Sequence, residues 1–224
     1  MKTAIKQDKL LSNVINNLKN PTVAQIKALE LFLSTSANKI NTEEKDLIEL
    51  TLNSCNYMHK MIDNYSLAVK LNSEKLYPDY KQFNIIELLE KTVKDINILL
   101  KYSNLNVNIY PDKNYFVKAD EIKIRNVIES LLLYGINSSC KNSDIDIFIS
   151  DNKNDLKFEV KIPCFDYKED ETSDYSDSNP KKQDIPTCNI GLFIAKEIIY
   201  AHFGKMIYKR KDNKLIIGFY LPFE

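Results

Sequence analysis

The chain has 224 residues, 44% of them hydrophobic, with 31 Lys+Arg balanced by 31 Asp+Glu. That length suits one large or two small domains with a buried core, and zero net charge excludes a broadly nucleic-acid-binding or membrane-coating surface. Four glycines, well below the usual share of about 7%, leave little material for a glycine-rich phosphate cradle. No apolar run approaches the ~20 residues of a transmembrane helix. The N-terminus, Met1 to Lys9, lacks the apolar core of a signal peptide. The expectation is a cytoplasmic protein without membrane insertion. Cys55, Cys140, Cys164 and Cys188 are scattered, form no CxxC pair and share the chain with two histidines. They read as reduced thiols, and no metal site is expected.

In chain order, apolar residues at three- and four-residue steps (Leu11, Val14, Ile15, Leu18, Ile26, Leu29, Phe32, Leu33) predict one helix from about Lys6 to Thr35, bent at Pro21. Asn41-Thr42-Glu43-Glu44 resembles a capped start. A second helix then runs from about Glu43 to Leu76, with Ile48, Cys55, Ile62 and Val69 at heptad spacing and Thr51, Met58 and Tyr65 between them. Two such stripes exceed what one hairpin can cover, so a homodimer through about 6–76, forming a four-helix bundle, is predicted. Pro78 ends this region. Phe83 to Tyr102 reads as a helix, Asn106–Tyr110 and Tyr115–Ala119 as strands, and Ile122–Ser138 as an apolar helix. Strands follow at Asp144–Ile149 and Leu156–Val160. Asp166–Asp184 is acidic and reads as a loop. Ile190–Phe203 is helical, and Lys205–Lys211 with Leu215–Leu221 makes a closing hairpin. The fold class is therefore α+β: an N-terminal two-helix hairpin over 1–78, then a helix–sheet sandwich over 79–224.

Several stretches resemble the core of sensor histidine kinases. Asn16-Asn17-Leu18-Lys19-Asn20-Pro21 is similar to the family's His-Asp/Glu-Leu-Lys-Thr-Pro. Phe83 to Leu89 resembles the opening helix of its ATP-binding domain, and Val117-Lys118-Ala119-Asp120 with Ile124 to Ile128 resembles the approach to its ATP-binding helix. Asn189-Ile190-Gly191-Leu192-Phe193-Ile194-Ala195-Lys196, with Ala201-His202-Phe203-Gly204-Lys205 trailing, resembles its last nucleotide motif. The resemblance implies a dimerisation and phosphotransfer hairpin followed by a GHKL-type ATPase domain.

Each chemical position departs from the family pattern. The phosphoryl-accepting histidine is Asn16, whose carboxamide nitrogen is not nucleophilic. The two asparagines of the ATP-binding helix, the second a Mg²⁺ ligand in the family, fall on Ser130 and Tyr134; a phenol is a poor ligand for a hard cation. The adenine-binding aspartate falls on Ile162, and its glycines on Cys164 and Asp166. Isoleucine accepts no hydrogen bond, and side chains obstruct what glycines leave open. Asn189 replaces a further glycine, and Gly191 persists. A vestigial cleft at Ser130, Tyr134, Ile162, Cys164, Asn189 and Gly191 is expected to hold no cofactor.

The reading that follows is a catalytically inactive, histidine-kinase-like regulatory or adaptor protein of two-component signalling. Its partner would be a response regulator or an active histidine kinase, met through Asn16, Asn17, Lys19, Asn20 and Pro21. Lys19 and Pro21 serve equally well as structural residues of the first helix. The alternatives are a divergent kinase or phosphotransferase that still binds ATP and Mg²⁺ or uses His59, and a dimeric adaptor unrelated to phosphorelay. For His59 the simpler reading is a partly exposed bundle histidine without an acidic neighbour; His202 reads as a packing or hydrogen-bonding residue. Asp120 and Arg125 read as an internal polar contact. The acidic Lys168–Asp177 stretch stands where the family's ATP lid lies and reads as a solvated loop.

Overall fold

The structure, a computed structural model, describes residues 2–36, 40–71, 76–140, 142–163, 190–211 and 213–223. The chain divides into two compact units, Met1–Lys75 and Leu76–Glu224. The first is a helical hairpin of α1 (Lys2–Ser36) and α2 (Thr42–Leu71). α1 continues through Pro21, which has no N–H to offer the Asn17 carbonyl four residues back. Thr22, 7% exposed, turns its hydroxyl to the Leu18 carbonyl at 2.8 Å. α2 starts on a reciprocal capping box. Asn41 Oδ1 accepts from the Glu44 N–H, and Glu44 Oε2 accepts from the Asn41 N–H, both at 2.9 Å.

The heptad seam of α2 is divided between two environments. Cys55 is buried against the hairpin, Ile48 and Ile62 are half-buried, and Thr51, Met58 and Tyr65 stay exposed. On α1, Val14, Leu18, Leu31 and Phe32 are exposed and Ile15 is buried. The Leu11 and Val69 side chains, and residues 72–75 where the second helix was expected to continue, lie outside what is described.

The second unit is a helix–sheet sandwich. Its five-stranded sheet runs β2 (Asn106–Pro111), β4 (Asp144–Asn152), β5 (Asp155–Pro163), β7 (Lys214–Pro222), β6 (Lys205–Lys211) across the layer. β2 and β4 are parallel, with Val107 opposite Ile145, and the remaining pairs are antiparallel. Alternation puts Ile145, Ile147 and Ile149 of β4, Leu156, Phe158, Val160 and Ile162 of β5, and Leu215, Ile217 and Phe219 of β7 on the buried face. Helices α3 (Ile85–Asp95), α5 (Glu121–Ser138) and α6 (Ile190–Ala201) supply the other half of the core through Leu89, Ile124, Ile128, Leu131 and Ile198, all 0% exposed.

The single helix expected over Phe83–Tyr102 is three elements. Phe83 sits in β1 (Lys81–Asn84), antiparallel to β3 (Phe116–Ala119) and opposite Val117. Asn84 then caps α3, its side chain accepting from the Ile86 N–H at 2.9 Å. Ile96 breaks the run before α4 (Asn97–Tyr102). α6 ends at Ala201 rather than Phe203, in a Schellman turn: Gly204 N–H bonds Ile199 O at 2.9 Å and Phe203 N–H bonds Tyr200 O at 3.0 Å. Phe203 takes the left-handed conformation of that turn, φ 59°. A residue with a Cβ gives up about 1–2 kcal/mol there relative to right-handed backbone. Gly204 is obligatory, because a Cβ on it would stand 2.3 Å from Tyr220 O.

Candidate functional site

Of the positions that the resemblance assigns to a vestigial cleft, those described lie on α5, on β5 and in the first turn of α6. Ser130 and Tyr134 are one turn apart on α5 and share a face. Ser130 is buried at 6% exposure and Tyr134 is half-buried. Ile162, at the end of β5, is 0% exposed, and its Cδ1 reaches within 3.4 Å of where a Cβ on Gly135 would stand. Ile162 is thus a buried hydrocarbon side chain facing Gly135 of α5, next in sequence to Tyr134. Gly191 is buried in the first turn of α6. Cys164, Asp166, Asn189 and the acidic Lys168–Asp177 stretch lie outside the described residues. Among the described residues, no cluster of three His, Cys, Asp or Glu could hold a metal ion.

On the hairpin, Asn17, Asn20 and Pro21 are exposed; the Asn16 side chain is not among those described. Lys19 reaches across to α2, where its ammonium meets Asp63 Oδ1 at 2.6 Å. His59, one turn earlier on α2, does have an acidic neighbour, contrary to expectation: Asp63 Oδ2 lies 3.6 Å from its Nε2. Helical geometry explains it, since residues four apart stack on one face. His59 Nδ1 is buried without a hydrogen-bond partner. The acidic neighbour removes one argument for the bundle-histidine reading, and the buried Nδ1 remains as the other.

The best-defined polar cluster joins residues far apart in sequence. Asp120 caps α5, its Oδ1 accepting the Lys123 N–H at 3.1 Å and its Oδ2 the Asp79 N–H at 3.0 Å, and the Lys123 ammonium pairs with it. Its own N–H donates to His202 Nε2 at 3.0 Å. Because a backbone N–H can only donate, the His202 proton resides on Nδ1, which donates to Ile198 O at 2.7 Å. Burial is the largest influence on His202 and pushes its pKa below the ordinary 6.5, so the ring is held neutral. Burial works to raise Asp120, but the hydrogen bonds from Lys123 and Asp79 outweigh it and hold the carboxyl below its ordinary 3.8. Tyr80 packs edge-on to the His202 ring at 5.4 Å. Arg125 takes no part. It pairs with Asp95 at the surface, so Asp120 and Arg125 form two separate contacts rather than one. Sequence reasoning singled out Asp120 and His202 individually; their union, and the role of Asp79, had no signal short of the fold.

No family model matches the chain. The sensor histidine kinase YvrG of Bacillus subtilis is 21% identical over 92% of this chain and 37% of that protein. The peroxide stress-activated histidine kinase mak2 of Schizosaccharomyces pombe is 26% identical over 72% of this chain and 7% of that protein. The chain thus spans about a third or less of the curated relatives it matches. Among solved structures, the histidine kinase AdeS of Acinetobacter baumannii superposes with TM-score 0.58 at 15% identity, covering 91% of this chain and 95% of that one. The histidine kinase ThkA, solved in complex with the response regulator TrrA, gives 0.57 at 16% identity over all of this chain and 65% of that one.

The class is therefore defined: an α+β protein with a helical hairpin ahead of a sheet layered with helices, the architecture of histidine-kinase catalytic cores. In sequence this chain is similar to sensor histidine kinases, and in fold to their catalytic cores. No helix among the described residues is long and apolar enough to cross a membrane.

Proposed function

We propose that this chain is a non-catalytic, histidine-kinase-like regulator of two-component signalling that acts by binding rather than by phosphorylation. The observation that carries the reading is Ile162. The resemblance assigns the adenine acceptor to this position, and the residue there is an aliphatic side chain with no exposure that faces Gly135 of α5. Such a surface offers an adenine amino group nothing to bond, and an unpaired buried donor costs roughly 1–3 kcal/mol. Tyr134 at the metal position and Asn16 at the phosphoryl position point the same way. The partner proposed is a response regulator or an active histidine kinase, docked on Asn16, Asn17, Lys19, Asn20 and Pro21. That ThkA is known in complex with a response regulator supports the choice of partner. The hairpin's exposed Leu18, Met58 and Tyr65 favour a homodimer, since a second hairpin would take them out of water.

Calorimetric titration with Mg²⁺ and a non-hydrolysable ATP analogue tests the reading. No saturable heat at micromolar nucleotide is expected, nor acid-labile phosphate on the protein after incubation with ATP. Saturable micromolar binding would return the chain to the divergent-kinase alternative, and failure to bind any response regulator or kinase would leave the unrelated dimeric adaptor.

A further inference from the structure

We propose that the edge strand β6 is a docking site for an acidic, extended segment of a partner protein, added to the sheet as a further strand. This site lies wholly within the second unit, apart from the hairpin face, and does not depend on the two-component reading. β6 (Lys205–Lys211) closes one side of the five-stranded sheet and pairs with β7 alone among the described strands. An edge strand is bonded on one side, and the N–H and C=O groups of alternate residues point away from the sheet. Strand addition uses those groups.

Charge selects what is added. Lys209 stands opposite Ile216, which stands opposite Lys161 of β5, and Lys161 alternates with the buried Val160 and Ile162. Lys161, Lys209 and Lys211 therefore share the face of the sheet turned away from the helices. Lys214, opposite both Lys211 and Pro163, joins them there. Lys209, Lys211 and Lys214 are exposed and have no carboxylate partner among the described residues. The Lys161 ammonium lies 3.8 Å from the Phe148 ring centroid. The acids of this face sit elsewhere. Asp146 accepts from Asn108 at 3.2 Å and Asp144 from Asn106 at 3.0 Å, both on β4, and Glu159 pairs with Lys157 at 2.8 Å. Asp155 is at the far end, opposite Pro222. β4 is three strand spacings from β6, on the order of 14 Å, beyond the Debye length of ~8 Å at physiological salt. Lys205 and Arg210 of β6 are engaged in other contacts, and the site does not need them.

Lysines on an edge strand guard against self-pairing, but that need does not explain this pattern. Lys214 is on β7 and Lys161 on β5, neither of them an edge strand. Lys211 stands directly opposite Lys214, where like charges repel. An anion from outside relieves that repulsion. A second copy adding its own β6 would set lysine against lysine, which excludes it as the occupant. Nucleic acid and anionic lipid match the charge but bring no peptide N–H and C=O groups to the edge. A peptide strand brings both. Its acidic residues, two apart and about 6.6–6.8 Å from one another, face Lys209 and Lys211. Its intervening residues meet Met206 and Tyr208, half-buried on the other face. The recognised segment thus alternates acidic and apolar residues.

Fluorescence titration of the purified full chain with a labelled, alternating Glu-Val heptapeptide, matched to the 7 residues of β6, tests this. Saturable micromolar binding is expected, with affinity falling at least tenfold in Lys209→Ala/Lys211→Ala. The charge-reversed Lys209→Glu/Lys211→Glu chain should lose this peptide and gain the matching Lys-Val heptapeptide. Both residues are exposed, so these variants should keep the wild-type Tm. A second comparison needs no variant. A Glu-Pro heptapeptide alternates its acids in the same way, but proline has no N–H for the ladder, so it should bind at least tenfold more weakly. No saturable binding of the Glu-Val peptide, equal binding by the alanine variant, or equal binding of the Glu-Pro peptide would overturn the proposal. So would binding of duplex DNA or phosphatidylserine vesicles that depends on Lys209 and Lys211 and matches the peptide's affinity, which assigns the lysines to polyanions in general. The chain's own acidic stretch is the remaining rival. If amides in place of the six Asp and Glu residues of 166–177 tighten peptide binding tenfold, the edge belongs to that stretch and the partner segment is overturned.

Discussion

The two units bury their apolar residues in different ways. In the sandwich, strands alternating with period two and three helices close on one another, leaving Leu89, Ile128, Leu131, Phe158 and Phe219 with no exposure at all. In the hairpin, only Ile15, Thr22, Cys55 and Ala68 are buried among the described side chains, while Leu18, Leu31, Leu47, Met58 and Tyr65 face outward. Two helices side by side cover one stripe each and have no second layer. The sandwich thus closes its core within itself, and the hairpin leaves apolar side chains exposed that the proposed dimer would cover. Substitutions should read out this difference directly.

The largest effect is expected in the sandwich. Phe158 stacks on Phe219 with ring centroids 4.9 Å apart at the centre of the sheet. Phe158→Ala removes a fully buried ring and should lower unfolding free energy by about 3–5 kcal/mol, read from urea denaturation. Leu31→Ala, at a position 64% exposed in the hairpin, should shift it by no more than about 0.5 kcal/mol in a monomer. A Leu31 effect rivalling that of Phe158 would mean that the hairpin face is already covered in solution.

The proposed dimer comes next. Leu18, 53% exposed, and Tyr65, 47% exposed, lie outside the hairpin's own contact, whereas Ile62 is partly used within it. Leu18→Asp and Tyr65→Asp should each convert a dimer of 26.0 kDa chains to a folded monomer, as measured by light scattering at micromolar concentration. A wild-type chain of monomer mass would remove the second copy as the hairpin's cover.

Acid should act on the sandwich first through His202. Its folded pKa is below the ordinary 6.5, so the unfolded chain takes up the proton first. The associated stability is fully present above pH 6.5 and is lost as pH falls from there through the lowered folded value. Protonation would set a second N–H against the Asp120 N–H it now accepts. Asp120, also lowered, adds a separate loss below its ordinary 3.8. The urea midpoint should therefore fall between neutral and mildly acid pH, and His202→Gln should flatten that slope. An unchanged slope in His202→Gln would remove His202 as its origin.

Legibility in the sequence followed the same division. Helical periodicity gave α1 and α2, and Asn41 with Glu44 announced the capping box, because these are local patterns. The sandwich's strands were found where alternation was clean, as at Ile145, Ile147 and Ile149. β1 was hidden because Phe83, Ile86 and Leu89 keep helical spacing although Phe83 is a strand residue bound to β3. The parallel pairing of β2 with β4 spans a strand and a helix, and nothing local encodes it. At the candidate cleft, Ser130, Tyr134 and Ile162 could be placed by motif order, yet the packing of Ile162 on Gly135 is a tertiary fact. The link between Asp120 and His202 crosses 82 positions, and the strain at Phe203 exists only once the Schellman turn is formed.

The smallest expected effect separates two roles for Lys19. Its 2.6 Å contact with Asp63 gives it a structural task between α1 and α2, but both side chains are 42% exposed. Water and salt screen such a pair, so a Lys19→Ala/Asp63→Ala double-mutant cycle should yield a coupling of only about 0.2–1 kcal/mol, weakening with added salt. Lys19 then adds little to the hairpin's stability, and its ammonium remains available at modest cost to a partner that outbids Asp63. A salt-insensitive coupling well above 1 kcal/mol would place the pair in a dry environment instead, as happens if a second hairpin or a bound partner covers it. In that case Lys19 is a buried structural residue in the assembly, and the proposed recognition face contracts to Asn17, Asn20 and Pro21, which are exposed on the same helix.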